Sequence, residues 1–177
     1  MSRLTLINAS CVDQNADAVV NAANNCLLAG SGICGEIFSR AGRMELHEAC
    51  RAYELPLADG SAVITPAFGI KNAKYIIHAV GPNFARTPDA TDVLCDAYYN
   101  SLKVLMENGL HSIAFPLISA GKFGGDLDNP VAESTKQCFR AYDKFTSEYP
   151  DYDVDVKLCA YTYAEMLDAQ YVLSKMI

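Results

Sequence analysis

Apolar residues recur with two different periods along the chain, and the alternation of those periods predicts its architecture. Short apolar runs at residues 4–9 (LTLINA) and 17–22 (DAVVNA) read as strands, expected to form a hairpin-like pair that adds an antiparallel edge. Residues 36–53 read as a helix with Ile37, Ala41, Met44 and Leu46 on its apolar side. Two strands follow at residues 61–67 (SAVITPA) and 74–81 (KYIIHAVG), the second too apolar to face water on either side. In residues 92–108, Leu94, Tyr98, Leu102 and Leu105 share one helical stripe, and Asn108-Gly109 stops it. Residues 112–118 (SIAFPLI) read as a buried strand. Asn129 is then a natural N-cap with Pro130 at the first helical position, and Val131, Thr135, Cys138, Tyr142 and Phe145 fall on one face behind it. A last strand at residues 154–161 and a closing helix at residues 164–175 complete the pattern. Strand and helix alternate, so the expected fold class is α/β, a three-layer α/β/α sandwich around a mixed, mostly parallel sheet. In such sheets ligands sit at the carboxyl ends of the strands, which points to the loops after Val20, Val80, Ile118 and Cys159.

The 177 residues favour one domain spanning residues 1–177, and 51% hydrophobic with 20% charged residues is an ordinary globular composition. Fourteen Lys and Arg against twenty-one Asp and Glu give a net charge of −7. With no cluster of Lys and Arg, nucleic acid is not an expected partner. A phosphate-bearing ligand must then be held by backbone N–H groups. No signal sequence or membrane-spanning run is read, and the seven dispersed cysteines lack a C-x-x-C pair. They read as reduced thiols of a cytoplasmic protein. His47 and Cys50 could meet on one helical face, but two ligands make no zinc site, so no metal is expected.

Gly30, Gly32 and Gly35 have the spacing G-x-G-x-x-G of a dinucleotide fingerprint. That motif must follow its strand at once, and here NAANNCLLA intervenes, so a nicotinamide oxidoreductase is the least favoured reading. A glycine loop opening a helix is still an anion site by geometry, because free N–H groups and the helix dipole favour negative charge. A tight turn without ligand is its bland counterpart. Asn21 and Asn24 in NAAN have small neighbours, so each can face a shared pocket or cap its own loop; capping is the simpler reading for Asn21. A second glycine loop, FPLISAGKFGGD, repeats the logic: Ser119, Ala120 and Gly121 expose backbone, Lys122 reads as solvated, and Phe123 is free to cover a sugar or ring. Two such loops suit a diphosphate clamped from both sides. Glu36 reads as a first-turn residue complementing the helix dipole, and His78 as a buried strand histidine with its N–H satisfied.

The blocks DAVVNAANNCLLAGSGICGEIF, KYIIHAVGP and SIAFPLISAGKFGG resemble, in order and spacing, those of macrodomains, the ADP-ribose-binding modules, over nearly the whole chain. The resemblance implies a six- or seven-stranded mixed sheet with ADP-ribose, or an ADP-ribosylated protein, in a cleft across the strand ends of a monomer, with no cofactor. Asn24 would contact the distal ribose and carry the catalytic role. Residues Gly30, Ser31, Gly32 and Ile33, and Ser119, Ala120, Gly121, Lys122 and Phe123, would grip the diphosphate. Tyr161 would sit near the adenine, with Tyr163 as the fallback. Cys34 stands where hydrolytic members carry an aspartate, Phe38 where a histidine is frequent, and Ser10 where an aspartate usually meets the adenine amine, with the Cys11 N–H nearby. The implied activity is hydrolysis of a group on the distal ribose: a protein carboxylate, a phosphate or an acetyl ester. A reader that binds without turnover is the alternative. Cys34 as a nucleophile is a further reading, with no histidine near it in sequence.

Overall fold

Six strands make one sheet. They are β1 (Arg3–Asn8), β2 (Ala18–Ala23), β3 (Ala62–Pro66), β4 (Tyr75–Val80), β5 (Ser112–Phe115) and β6 (Asp155–Ala160), in the order β1-β6-β5-β2-β4-β3. The computed structural model describes residues 1–176; Ile177, the last residue of the expected domain, lies outside them. All neighbours are parallel except β3, which runs antiparallel to β4 at one edge. The antiparallel edge is therefore not the opening pair. β1 lies at the opposite edge, parallel to β6, with Leu4 beside Val156, and a 3-10 turn at Cys11–Asp13 carries the chain on to β2 in the interior. Two apolar runs close in sequence read as a hairpin, but the pairing that wins joins residues about 150 apart, which no local pattern reports.

The pleat sorts the strand residues onto two faces. Ala18, Val20, Ile77, Ala79, Ile113, Phe115, Val156 and Leu158 meet α3 (Thr91–Glu107) and α4 (Pro130–Glu148). The expected stripe Leu94, Tyr98, Leu102 and Leu105 is buried there, each Leu contributing roughly 1.5–3 kcal/mol of transfer free energy. Asn129 caps α4, its Oδ1 accepting the Ala132 N–H at 3.0 Å. α5 (Tyr163–Met176) packs against α4 and β1. On the other face, Val19, Ala23, Ile76, Val80 and Ala114 meet α1 (Gly32–Ala41) and α2 (Arg43–Cys50). These two replace the single helix expected over residues 36–53. The chain turns at Gly42 (φ 107°), the helical phase restarts, and Met44 points out, 83% exposed, while Leu46 remains buried.

Asp17 ties the start of β2 to β5. Its carboxylate accepts the N–H groups of His111 and Ser112 at 2.9 and 3.1 Å. Partial burial pushes the Asp17 carboxyl up, but these bonds outweigh it and hold it below its ordinary value.

Candidate functional site: a two-chamber cleft at the strand ends

The carboxyl ends of β1, β2, β5 and β6 open into one cleft of two chambers, and Gly32, Ile33, Leu117 and Gly121 line both. These four residues are the waist between them. One wall of the waist is the start of α1. Gly32 has φ 62° with open space above its Cα, a conformation that a side chain would strain. Gly35, one turn on, lies so close to the Gly30 carbonyl that an added Cβ would sit 2.4 Å from its oxygen. The N-cap, Ser31, makes no side-chain bond to the first turn. The end of a ten-residue helix thus opens to the cleft without a side-chain cap, where its dipole favours an anion.

The opposite wall is the loop after β5. Ser119 takes a left-handed backbone (φ 59°), which costs a non-glycine residue about 1–2 kcal/mol, and its hydroxyl donates to the Pro82 carbonyl at 2.7 Å. Beneath it, Tyr98 Oη accepts the Ile118 N–H at 3.0 Å and meets Ser134 Oγ at 2.6 Å; Ser134 in turn donates to the Ile118 carbonyl. The loop after β4 does not line the cleft. It braces this wall, with the Phe84 N–H donating to the Phe123 carbonyl at 2.8 Å. Sequence reading missed Tyr98 and Ser134 as supports, because a buried helical Tyr looks like core until its hydroxyl partners are known.

The larger chamber, about 590 Å³, is lined by Ser10 and Cys11 after β1, by Cys159, Tyr161, Thr162 and Glu165 from the end of β6 to the start of α5, and by Glu36 and Ala120. Tyr161 stands at its rim, 73% exposed, while Tyr163 turns to solvent outside it. Burial raises the Cys11 thiol well above its usual value and that of Cys159 up to about 12, so both stay protonated. Glu36 lines the chamber but does not open α1: the helix starts at Gly32, so Glu36 falls beyond the first turn expected for it. Its carboxylate receives Arg40 at 2.8 Å, and Arg40 also reaches Asp13 at 2.8 Å. Glu165 and Thr162 were not picked out from sequence, although T-x-x-E at a helix start is a legible capping box.

The smaller chamber, about 470 Å³, is lined by Asn24, Gly30, Ser31, Cys34, Ser119, Lys122 and Phe123 among others. Lys122 is exposed, as expected, and is the one cationic side chain on the cleft surface among the described residues. The two asparagines of NAAN exchange their simpler roles. Asn24 caps its own loop: its Oδ1 accepts the N–H groups of Cys26 and Leu28 at 3.2 and 3.0 Å, and its Nδ2 donates to the Leu28 carbonyl at 2.9 Å. One Nδ2 hydrogen remains to face the chamber. Asn21 does not reach the cleft surface. It is fully buried, because its place in β2 beside His78 turns it inward to the face that α1 covers. There Asn21 Nδ2 donates to His78 Nδ1 at 3.1 Å, leaving His78 Nε2–H for Thr65 Oγ1 at 2.9 Å, as the expected satisfied histidine requires. Burial drives His78 down to about 4, so the ring is neutral.

Cys34 is 6% exposed, and its thiol donates to the Leu28 carbonyl at 3.4 Å. Burial raises the thiol, against smaller lowering contributions from the Gly30 backbone and Asn21. A protonated thiol is a poor nucleophile, so the geometry gives the chamber no thiolate at neutral pH. Among the described residues no group of three His, Cys, Asp or Glu side chains could hold a metal, and no helix is long and apolar enough to cross a membrane.

Comparison with known proteins gives this architecture its class. Residues 20–135 match the family model of the Macro domain. A macro domain-containing protein of Streptomyces nogalater is 41% identical over 128 residues, 70% of this chain and 70% of the relative. The O-acetyl-ADP-ribose deacetylase of Citrobacter rodentium is 43% identical over 127 residues, 70% of this chain and 71% of that protein. Among solved structures, the Oceanobacillus iheyensis macrodomain with ADP superposes with a TM-score of 0.88 at 29% identity, covering 99% of this chain and 92% of that one. The Trypanosoma brucei macrodomain in complex with ADP-ribose gives 0.82 at 27% identity, covering 96% and 68%. The chain belongs to the macro domain family.

Proposed function

We propose that the protein binds ADP-ribose along the two chambers and slowly hydrolyses a group joined to the distal ribose. The observation that carries this reading is the waist. Two small-residue loops face each other between a chamber edged by Tyr161, fit for a base, and one edged by Asn24, fit for a sugar, with almost no cationic side chain on the surface. A diphosphate at the waist would meet the open start of α1 and the Ser119–Gly121 backbone. The relatives named for O-acetyl-ADP-ribose deacetylation and solved with ADP or ADP-ribose support the same ligand class.

In the smaller chamber the ribose would present its anomeric carbon and hydroxyls to Asn24. Cleavage of a glycosidic ester at that carbon builds positive charge in an oxocarbenium-like transition state, to which water adds as the carboxylate leaves. The chamber lines up no carboxylate base, and Cys34 stays protonated. Rate enhancement then rests on positioning: the clamped diphosphate fixes the ribose, the free Asn24 N–H orients a hydroxyl, and substrate phosphate helps to hold the water. Without a strong base, turnover is slow.

Calorimetry with ADP-ribose tests the ligand, and release of ADP-ribose from a carboxylate-linked ADP-ribosylated protein tests the chemistry. Asn24→Asp keeps the acceptor for the Cys26 and Leu28 N–H groups but loses both Nδ2 hydrogens, the one on the Leu28 carbonyl and the one left for the chamber. It should lower turnover at least about tenfold, the scale of one hydrogen bond to a polar transition state. Turnover unaffected by this change would remove Asn24 from the mechanism. Binding without release by the unaltered protein would establish the non-catalytic reader.

A further inference from the structure

The larger chamber holds a carboxylate with no counter-ion, and this identifies what the base end of the cleft selects. No cationic side chain lines the chamber, and Ile33, Pro116, Leu117 and Cys159 give it apolar walls. Of its two carboxylates, that of Glu36 is committed to Arg40. Glu165 differs: no ion pair among the described residues involves it. It is half-buried and held in place by the capping box, its Oε1 accepting the Thr162 N–H at 2.9 Å while its own N–H donates to Thr162 Oγ1 at 3.1 Å. That leaves Oε2, an acceptor only, on a fixed side chain beside an apolar wall. A carboxylate so placed favours a group that brings an N–H to it and disfavours one that brings a lone pair, and the apolar walls suit a flat ring.

Building on the reading of the cleft as an ADP-ribose site, we infer that Glu165 is the specificity-determining residue for the base, accepting the exocyclic amine of adenine from the start of α5. The 3-10 turn after β1 brings no carboxylate to the chamber: it contributes Cys11 and its N-cap Ser10, whose hydroxyl makes no cap bond of its own. Base recognition is thereby assigned to the start of α5 rather than to Ser10.

Calorimetry on the whole chain with ADP-ribose and with 1,N6-etheno-ADP-ribose tests it. In the etheno compound the exocyclic nitrogen has no hydrogen and becomes an acceptor. The unaltered protein should prefer ADP-ribose by about tenfold or more, the worth of one hydrogen bond to a charged group. Glu165→Gln keeps the size of the side chain and an Oε1 for the Thr162 N–H, so the cap persists, and a melting curve verifies it. This variant should bring the ratio of the two affinities to about twofold or below, since an amide can donate to the acceptor ring. An equal ratio in the two proteins overturns the role of Glu165 and leaves ADP-ribose binding intact, because it would trace any preference to ring size. Failure of ADP-ribose itself to bind overturns the reading of the cleft and this inference with it.

Discussion

His78 lies fully buried between Asn21 and Thr65, and its neutrality makes the fold sensitive to mild acid. The unfolded chain takes up a proton on this residue near pH 6.5, whereas the folded protein resists until about 4. Between those values the unfolded state binds more protons, so stability falls as pH falls through the window and is fully present above it. The loss approaches roughly 3 kcal/mol at the lower end. Urea denaturation at pH 7, 6, 5 and 4.5 should show this slope, and His78→Gln, though less stable at pH 7, should flatten it. An unchanged slope in the variant would assign the acid sensitivity elsewhere. Asp17 works in a different range: its lowered carboxyl contributes above its unfolded value near 3.9 and is lost only below it, so the two groups separate on the pH axis. That Asn21, rather than Asn24, would be the buried partner of a histidine was not legible in NAAN. Both residues stand in the same local pattern, and only the register of β2 against β4 decides which turns inward.

Among the elements, α1 is the one whose packing and open end at the cleft depend on the same glycines. Gly35→Ala would place a methyl 2.4 Å from the Gly30 oxygen, so the helix start must move away from the loop. We expect a loss of about 1–3 kcal/mol in chemical denaturation, together with weaker ADP-ribose binding. A variant as stable and as tight-binding as the parent would show that the waist tolerates a shift of α1. The helices of the second layer were legible to within a residue or two, since Leu94, Tyr98, Leu102 and Leu105 keep one period with a glycine stop, and Pro130 marks a start. The break at Gly42 was not. A glycine inside an amphipathic run reads as a weak helix position until tertiary packing resets the phase, which is why Met44 was assigned inward. The glycine loops declared themselves through composition, whereas Glu165, Thr162 and Tyr98 are ordinary surface or core types whose relevance comes from where α5 and α3 are docked.

For the whole molecule, the charge balance and the cleft lining set how binding responds to salt. The protein carries −7, the expected ligand is itself an anion, and Lys122 is the one cationic group on the cleft surface among the described residues. In the proposed complex, backbone N–H groups and a helix end would hold the diphosphate at short range, while the surrounding field would repel it and is screened within about 8 Å at physiological salt. From 50 to 500 mM sodium chloride, ADP-ribose affinity should therefore change by less than about threefold, or rise slightly. A tenfold fall would mean that side-chain cations outside the cleft carry the binding.

Ser119 gives one more consequence. Its left-handed backbone is pinned by the Pro82 carbonyl and shored up by Tyr98 and Ser134, bonds made wholly within the protein, so the shape of the cradle does not wait on a ligand. A receptacle formed beforehand leaves no slow rearrangement after encounter. In stopped-flow mixing the observed rate should climb linearly with ADP-ribose concentration in a single exponential, without the plateau that an opening step would impose. Replacing Ser119 by alanine removes the pin, and a saturating second phase should then emerge.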